Sequence, residues 1–451
     1  MKKIIIFISL QTYLRNWIDA GAFSELQKRH NILFIIPEYD WDPKEIENYG
    51  ILNYQTIKQS EWRKLLFRRM LLVTMVRYSN RSMAFKIKTQ NFSNKVVKYL
   101  HRLISKNGFY HLFMFACKTV LGRWSELNNV IKSFNPDLII APSLAADSFS
   151  IDLTLTANIN NIKSIILINS WDNLVSKGVM PIRPTYVGLW GIQSIKHAVE
   201  VQQLSEDKLV IFGVPRFESY FKKIKISDSI HRFNDIPSNK KIILYAATVM
   251  PFDDIAALKL LNDELIDNPE YKDYVILFRA HPEMMPRVDE VNLEDCNFAK
   301  VFIDKHTANF YRSRFNGTAK PSTINETSLD YYPTLLNNIV GIVGPPTTLT
   351  LEGLVNGKPC LMICYNDGKN HHLSPEKMSK FENVQEVLSL EGVYPCYEEA
   401  QLLNNFRKMI TASSNNKLSE RIVQATDKFV YNDNLPYSKR LYNFIENIFQ
   451  T

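Results

Sequence analysis

The sequence predicts an α/β protein built from two Rossmann-like domains in tandem, facing a central cleft, with a basic helical insertion in the first. Three observations carry that reading. The chain has 451 residues, 45% of them hydrophobic, which is more than one ordinary domain needs for its core. Short apolar runs alternate with amphipathic segments, the grammar of a parallel sheet covered on both faces. The alternation stops at the polar stretch PRFESYFKKIKISDSIHRFNDIPSNKK and then starts again.

In the first half, KKIIIFIS predicts a strand, a helix is expected around Asn16 to Lys28, and NILFIIP predicts the next strand. Basic helices follow, then a helix near Ser125 to Phe134, the strand PDLIIAP, and a helix starting near Ala146. KSIILINS, YVGLWG and DKLVIFG complete this set of strands, with a helix near Ser194 to Gln203 between the last two. In the second half the strands are KIILYAAT, YVILFRAHP, AKVFID, NIVGIVGP and KPCLMICY, with helices near Asp254 to Asp267, Tyr331 to Asn338 and Thr348 to Asn356. The expected domains are 1–225, carrying an insertion at about 55–124, and 226–430, closed by a helix at 431–451.

Met1-Lys2-Lys3 before IIIFISL resembles a signal peptide, but the apolar run is short and meets Gln11-Thr12-Tyr13-Leu14-Arg15 with no small-residue cleavage site. The run is read as a buried strand. No stretch approaches the roughly 18 to 20 apolar residues of a membrane span, so a cytoplasmic protein is expected. The odd set Cys117, Cys296, Cys360, Cys364 and Cys396 argues against a disulfide frame. Cys360 and Cys364 read as small apolar residues of one strand face.

Charge is concentrated. Between Ile51 and Trp124 fifteen Lys and Arg residues face the single acid Glu61, a net +14, so the rest of the chain is net −6 within an overall +8. EWRKLLFRRMLLVTMV and VVKYLHRLI place the cations among apolar residues at helical spacing. Such a stretch suits an anionic inner-membrane surface, which makes the protein peripheral there; a solvated face balancing an acidic partner is the other reading. Signatures of nucleic-acid binding are missing, and no nucleic-acid partner is expected.

Ligands of doubly wound sheets lie beyond the carboxyl ends of the strands. At those ends stand Thr248; Arg279, His281, Pro282 and Glu283; and GIVGPPTTLTLEGLVNGKP. In the last, Thr347 or Thr348 can cap the following helix, whose free N–H donors and dipole suit a phosphate. His281 can donate to a departing phosphate, and Glu352 can accept from a ribose. Each residue also has a plain reading as cap, first-turn acid or turn residue.

FRAHPE with GPPTTLTLEGLVNGKP resembles the donor-binding domain of GT-B glycosyltransferases of capsule and lipopolysaccharide assembly. SWDNLVSKGVMPIRPTYVGLWG and LVIFGVPRFESY extend the resemblance over roughly Pro136 to Pro359 and leave the basic insertion outside it. Within that group the sialyl- and Kdo-type enzymes use CMP-activated acidic sugars, and the resemblance assigns Arg279, His281, Pro282, Thr347 and Thr348 to the nucleotide phosphate. Teichoic-acid polymerases acting on CDP-glycerol share a similar His-Pro motif. Two departures stand out: the acidic motif of sialyltransferases is missing from the first domain, and Pro345-Pro346 precede the threonines where serine or glycine is commoner.

For a base that deprotonates the acceptor, or a nucleophile, the candidates are Asp172 in SWDN, Asp147 in APSLAADSF and His306 in DKHTA. Ser170, Trp171, Asn173 and Lys177, with Gln11 and Thr12 after the first strand, are candidate acceptor-binding residues; Asp172-Asn173 also reads as a turn with Asx bonds. No DxD triplet, P-loop or GxGxxG loop occurs, Asp253-Asp254 sit where a helix begins, and His371-His372 lack companions at zinc spacing.

The expectation is therefore a metal-independent transfer with no cofactor. It moves a sugar from a nucleotide-activated donor, of CMP type, to a glycan or lipid-linked glycan acceptor. The alternatives are glycerophosphate transfer from CDP-glycerol, transfer from a UDP-, GDP- or dTDP-sugar, and a non-enzymatic glycan-binding or membrane scaffold.

Overall fold

The structure is a computed structural model and describes residues 1–38, 43–90, 95–221, 229–248, 252–281, 293–308, 312, 328–369 and 373–450. Pro282, Glu283, His371 and His372 lie outside the described residues. The chain forms two compact units, 1–218 together with 428–451, and 219–427.

The first unit holds a seven-stranded parallel sheet. Its strands are β1 (Lys3–Phe7), β2 (Asn31–Pro37), β3 (Tyr54–Ile57), β4 (Leu138–Ser143), β5 (Lys163–Ile168), β6 (Tyr186–Leu189) and β7 (Leu209–Ile211), in the order β3-β2-β1-β4-β5-β6-β7. The period of two along β1 divides the core: Ile4, Ile6 and Ile8 enter one apolar cluster and Ile5 and Phe7 the other. Both faces are buried, which explains why the strands read as unbroken apolar runs.

The last helix, Tyr437–Gln450, places Tyr437, Leu441, Ile445 and Ile448 at helical spacing on the Ile4 face. The closing segment, expected after a second-domain boundary, is therefore a covering element of the first unit.

The second unit repeats the plan with β8 (Lys241–Ala246), β9 (Tyr274–Arg279), β10 (Val301–Ile303), β11 (Ile339–Gly344), β12 (Cys360–Ile363) and β13 (Val393–Cys396), ordered β10-β9-β8-β11-β12-β13 and all parallel. The order of each sheet reverses once, between β1 and β4 and between β8 and β11. Those are the crossover points at which doubly wound sheets take ligands.

Some elements differ from expectation. The first helix is two short ones, Leu14–Asp19 and Ser24–Arg29, separated where Gly21 adopts φ +70°. Two edge strands escaped notice: β3 is partly solvent-exposed and polar, and β13 contains Pro395. A proline is tolerated there because an edge strand needs only one ladder.

The insertion is helical. Glu61–Arg77, Met83–Gln90, Lys95–Ile104 and Asn107–Leu121 lie between β3 and the helix Ser125–Phe134. Phe67, Met70 and Val73 of the first pack with Tyr110, Met114, Cys117 and Leu121 of the last, and with Ile151 and Leu155 of the helix Ser148–Ile159. A buried ion pair pins this assembly: the Arg63 guanidinium donates to both Asp152 carboxylate oxygens at 2.6 and 2.8 Å, and the Gln59 amide donates a third bond at 2.8 Å. Burial raises the Asp152 pKa, while Arg63 and Gln59 pull it down. Among the described residues no helix is long and apolar enough to cross a membrane.

The five cysteines are free. Cys360 and Cys364 are buried, and burial pushes the Cys364 thiol up to about 12, so both are packing residues of the β12 region.

Candidate functional site

At the crossover of the second sheet, Ala246 pairs with Arg279 of β9, and the neighbouring Tyr245 pairs with Val343 of β11. Gly344, which ends β11, has φ +151°, and a β-carbon there would lie 2.3 Å from the Ala246 carbonyl oxygen. Only glycine permits this approach. The strand ends carrying Thr248, Arg279 with His281, and Thr347 with Thr348 are thus brought to one edge of the sheet.

Gly344-Pro345-Pro346 ends β11, and the helix Thr348–Val355 begins immediately afterwards. Thr347 occupies the cap position in extended conformation, yet its side chain makes no cap bond. Its Oγ1 is buried without a hydrogen-bond partner among the described residues. A hydroxyl at a helix N-terminus that does not serve the helix is free to donate to an anion. Thr348 is half-buried beside it, and His281 is half-buried two residues beyond Arg279.

Glu352, one turn into the same helix, is 7% exposed and accepts a 2.6 Å hydrogen bond from the Tyr220 hydroxyl. The tyrosine fixes one carboxylate oxygen. Thr248, two residues beyond β8, is 3% exposed.

Arg279 is 7% exposed, donates to the Tyr332 hydroxyl, and lies 4.9 Å from that ring's centroid. Its Nε is buried without a hydrogen-bond partner among the described residues. Burial opposes the guanidinium charge, but Tyr332 and Asp304 more than offset it and the pKa is raised. Asp304, just beyond β10, is fully buried; it accepts from the Tyr331 hydroxyl at 2.6 Å and the His306 N–H at 3.1 Å. Burial raises its pKa against the pull of Tyr331 and Arg279. His306 stacks on Phe233 at 4.4 Å and meets Tyr331 edge-on at 4.1 Å.

In the first unit, Asp147 caps the helix Ser148–Ile159, accepting from the Ser150 N–H at 2.8 Å and the Ser143 hydroxyl at 2.6 Å. It stands at the β1/β4 crossover. On the β1 side Tyr13 is fully buried, its pKa raised well above normal by burial and then by the Asp147 charge, with Ser9 acting the other way. Gln11 and Thr12 are half-buried in the turn after β1, where the Gln11 carbonyl accepts from Leu14 N–H at 2.9 Å.

Asp172 follows β5 and accepts from the Ser176 hydroxyl at 2.5 Å and the Asn173 amide at 3.3 Å. Asn173 is fully buried, with its amide oxygen on the Ser170 N–H at 2.8 Å; Trp171 is 6% exposed. Lys177 is exposed and Ser170 half-buried. Asn173 thus bonds within the turn that carries Asp172. Asp253 likewise caps the helix Asp254–Asp267, and Asp254 accepts from the Tyr245 hydroxyl at 2.8 Å.

Residue patterns had not revealed Tyr220, Asp304, Tyr331 and Tyr332 in the second unit, nor Ser9, Tyr13 and Ser143 in the first. The signal available was weak: a polar residue within a few positions of a strand's carboxyl end.

The family profile of CDP-glycerol:poly(glycerophosphate) glycerophosphotransferases matches residues 193–309, about a quarter of the chain. That segment contains Tyr220, Thr248, Arg279, His281 and Asp304 and stops short of Thr347. No curated protein matches. Among solved structures, a UDP-N-acetylglucosamine 2-epimerase from Listeria monocytogenes, described as putative, aligns at TM-score 0.54 and 8% identity, covering 99% of this chain and 96% of its own. The UDP-GlcNAc 2-epimerase of Neisseria meningitidis bound to UDP-GlcNAc aligns at 0.52 and 12%, covering 100% of both chains. The glycosyltransferase of kitacinnamycin aligns at 0.51 and 10%, covering 99% and 98%. With two Rossmann-like units and these neighbours, the fold is GT-B.

Proposed function

We propose that the chain is a transferase that takes a nucleotide-activated donor on its second unit and delivers the activated group to a surface-glycan acceptor. The observation that carries this is the buried Thr347 hydroxyl, left without a hydrogen-bond partner among the described residues at the start of Thr348–Val355, on the sheet edge that also bears Thr248, Arg279 and His281. Helix N–H groups, the two threonine hydroxyls and a His281 N–H meet the phosphate charge as the leaving bond stretches. Glu352, with one oxygen held by Tyr220, is the acceptor proposed for a ribose hydroxyl.

In the first reading the donor is a CMP-activated acidic sugar of Kdo or nonulosonate type. The acceptor oxygen bonds to the anomeric carbon, the bond to the CMP oxygen breaks, and the acceptor proton passes to a carboxylate. Asp172 and Asp147 are the carboxylates proposed for that step, Asp147 with the advantage of standing at the crossover of its sheet. No resident metal is needed, because the chain supplies the phosphate donors.

The profile match over residues 193–309 favours a second reading, glycerophosphate transfer from CDP-glycerol. There the acceptor oxygen attacks phosphorus and CMP again departs. A UDP-, GDP- or dTDP-sugar instead releases a nucleoside diphosphate.

Incubation with CMP-sugars, CDP-glycerol and nucleoside-diphosphate sugars in a membrane extract, followed by identification of the nucleotide released, separates these readings. CMP from a CMP-sugar supports the first, and CMP from CDP-glycerol the second. Release of a diphosphate moves the donor class, and no release from any donor leaves a glycan-binding role. The acceptor is proposed to be lipid-linked, at the cytoplasmic membrane face.

A further inference from the structure

The helix Asn107–Leu121 is apolar on two opposite sides. Tyr110, Met114, Cys117 and Leu121 form its inner stripe, buried in the insertion core. Phe109, Leu112, Phe115 and Val120 form a second stripe on the far side and are exposed, Phe115 by 68%. At 100° per residue the two stripes are nearly half a turn apart. The adjoining helix Lys95–Ile104 carries Val96, Tyr99 and Leu100 at positions i, i+3 and i+4, all exposed, Tyr99 by 68%. A helix apolar all round is normally covered on every side. Both helices leave an apolar stripe exposed.

Cations surround the stripes. From Trp62 to Ser125 the chain contains no Asp or Glu. On the side of Lys95–Ile104 turned away from its exposed stripe, Lys98 and Arg102 join Lys86 around a cavity of about 230 Å³, so the helix carries cations as well as its apolar stripe.

We infer that the exposed apolar stripes of Lys95–Ile104 and Asn107–Leu121 dock on an anionic lipid membrane, seated in the headgroup–acyl boundary, with the cations of the acid-free insertion attracting the lipid phosphates. The lining of that face selects the occupant. A second copy of the chain packing the same face against itself would bring two acid-free, cationic surfaces together. An anionic bilayer supplies both the apolar layer and the opposite charge. Asn107–Leu121, with 15 residues, is about 22 Å long, shorter than the roughly 30 Å hydrocarbon core, so it lies along the surface. The inference sharpens the membrane-face acceptor of the proposed function but stands on observations independent of the donor site.

The test is co-sedimentation with vesicles of phosphatidylcholine alone and of phosphatidylcholine with phosphatidylglycerol, at low and high salt. The variants are Leu112→Glu with Phe115→Glu, Lys86→Glu with Arg102→Glu, and the exposed second-unit control Tyr397→Glu. All the substituted positions are exposed, and unchanged melting temperatures verify the fold.

Wild type and control are expected to bind the phosphatidylglycerol vesicles preferentially, with affinity that falls as salt rises. The apolar-face variant should lose about tenfold or more in affinity, and the cation variant should lose the lipid preference. Absence of binding at low salt, equal binding to both vesicle types, or wild-type affinity in both variants overturns the inference. So does a lipid-free dimer of wild type that the apolar-face variant dissolves. Vesicle binding by a wild type that releases no nucleotide from any donor leaves the docking intact and refutes the transfer reading alone.

Discussion

Gly344 lies against Ala246 so closely that a β-carbon would stand 2.3 Å from the Ala246 carbonyl oxygen, and this contact aligns the ends of β8 and β11 at the crossover of the second sheet. Gly344→Ala must push the two strand ends apart or strain the backbone at φ +151°. The variant is expected to lose about 1 to 3 kcal/mol of stability and most of its nucleotide-induced thermal shift. Denaturant unfolding and a thermal-shift titration measure the two effects; an unchanged shift would separate the glycine from the binding edge.

Tyr220 and Glu352 are joined by a 2.6 Å hydrogen bond. Tyr220→Phe removes that donor without changing the packing volume, and Glu352→Ala removes the acceptor. If the carboxylate takes a ribose hydroxyl, Glu352→Ala should weaken nucleotide binding about tenfold or more, with a smaller loss for Tyr220→Phe. A 2′,3′-dideoxynucleotide should be insensitive to both changes. Equal losses for ribo- and dideoxynucleotides would assign Glu352 a packing role.

Asp304 is fully buried and its pKa is raised, first by burial. Since the folded state holds that proton more tightly than the unfolded chain, Asp304 contributes stability that is complete below its ordinary value of 3.8 and is lost as pH rises through the raised one. Asp304→Asn removes this dependence, so the stability of the variant relative to wild type should increase with pH across that window. Urea titrations at several pH values test the sign. A constant difference would mean that Asp304 does not titrate differently in the two states.

Arg63 and Asp152 form the bidentate pair that fastens the insertion to the first unit. Removing one partner strands the other charge, so Arg63→Ala and Asp152→Ala should each cost about 3 to 5 kcal/mol, while replacing both together with apolar residues of similar volume should restore much of the loss. Hydrogen exchange in Glu61–Leu121 gives the local readout, and the double-mutant cycle gives the coupling.

The sheets were legible because burial on both faces leaves runs such as Ile4–Ile8 and Ile242–Ala246 with no charged residue. β3 was not, since its exposed Gln55 and Thr56 carry no core signal, and β13 hid behind Pro395. The last helix shows an amphipathic pattern in its sequence, but nothing local says that Leu441 and Ile445 face Ile4 and Ile6, hundreds of residues away.

The candidate site divides in the same way. Thr347, Thr348, Arg279 and His281 are conspicuous because glycine or proline punctuates the strand ends that carry them. Arg279 and Asp304 are each unremarkable alone, and their association rests on the pairing of β9 with β10. In SWDN, Asn173 reads both as a ligand group and as an Asx-turn residue, and in the fold its amide accepts from the Ser170 N–H and donates to Asp172.

The most direct test of the nucleotide site is calorimetric titration of CMP into wild type, His281→Ala and Thr347→Ala. A phosphate held by the Thr348–Val355 N-terminus, the Thr347 hydroxyl and His281 predicts binding by wild type and a loss of about tenfold or more in each variant. Equal affinity in all three, or no nucleotide binding by folded wild type, would contradict the account.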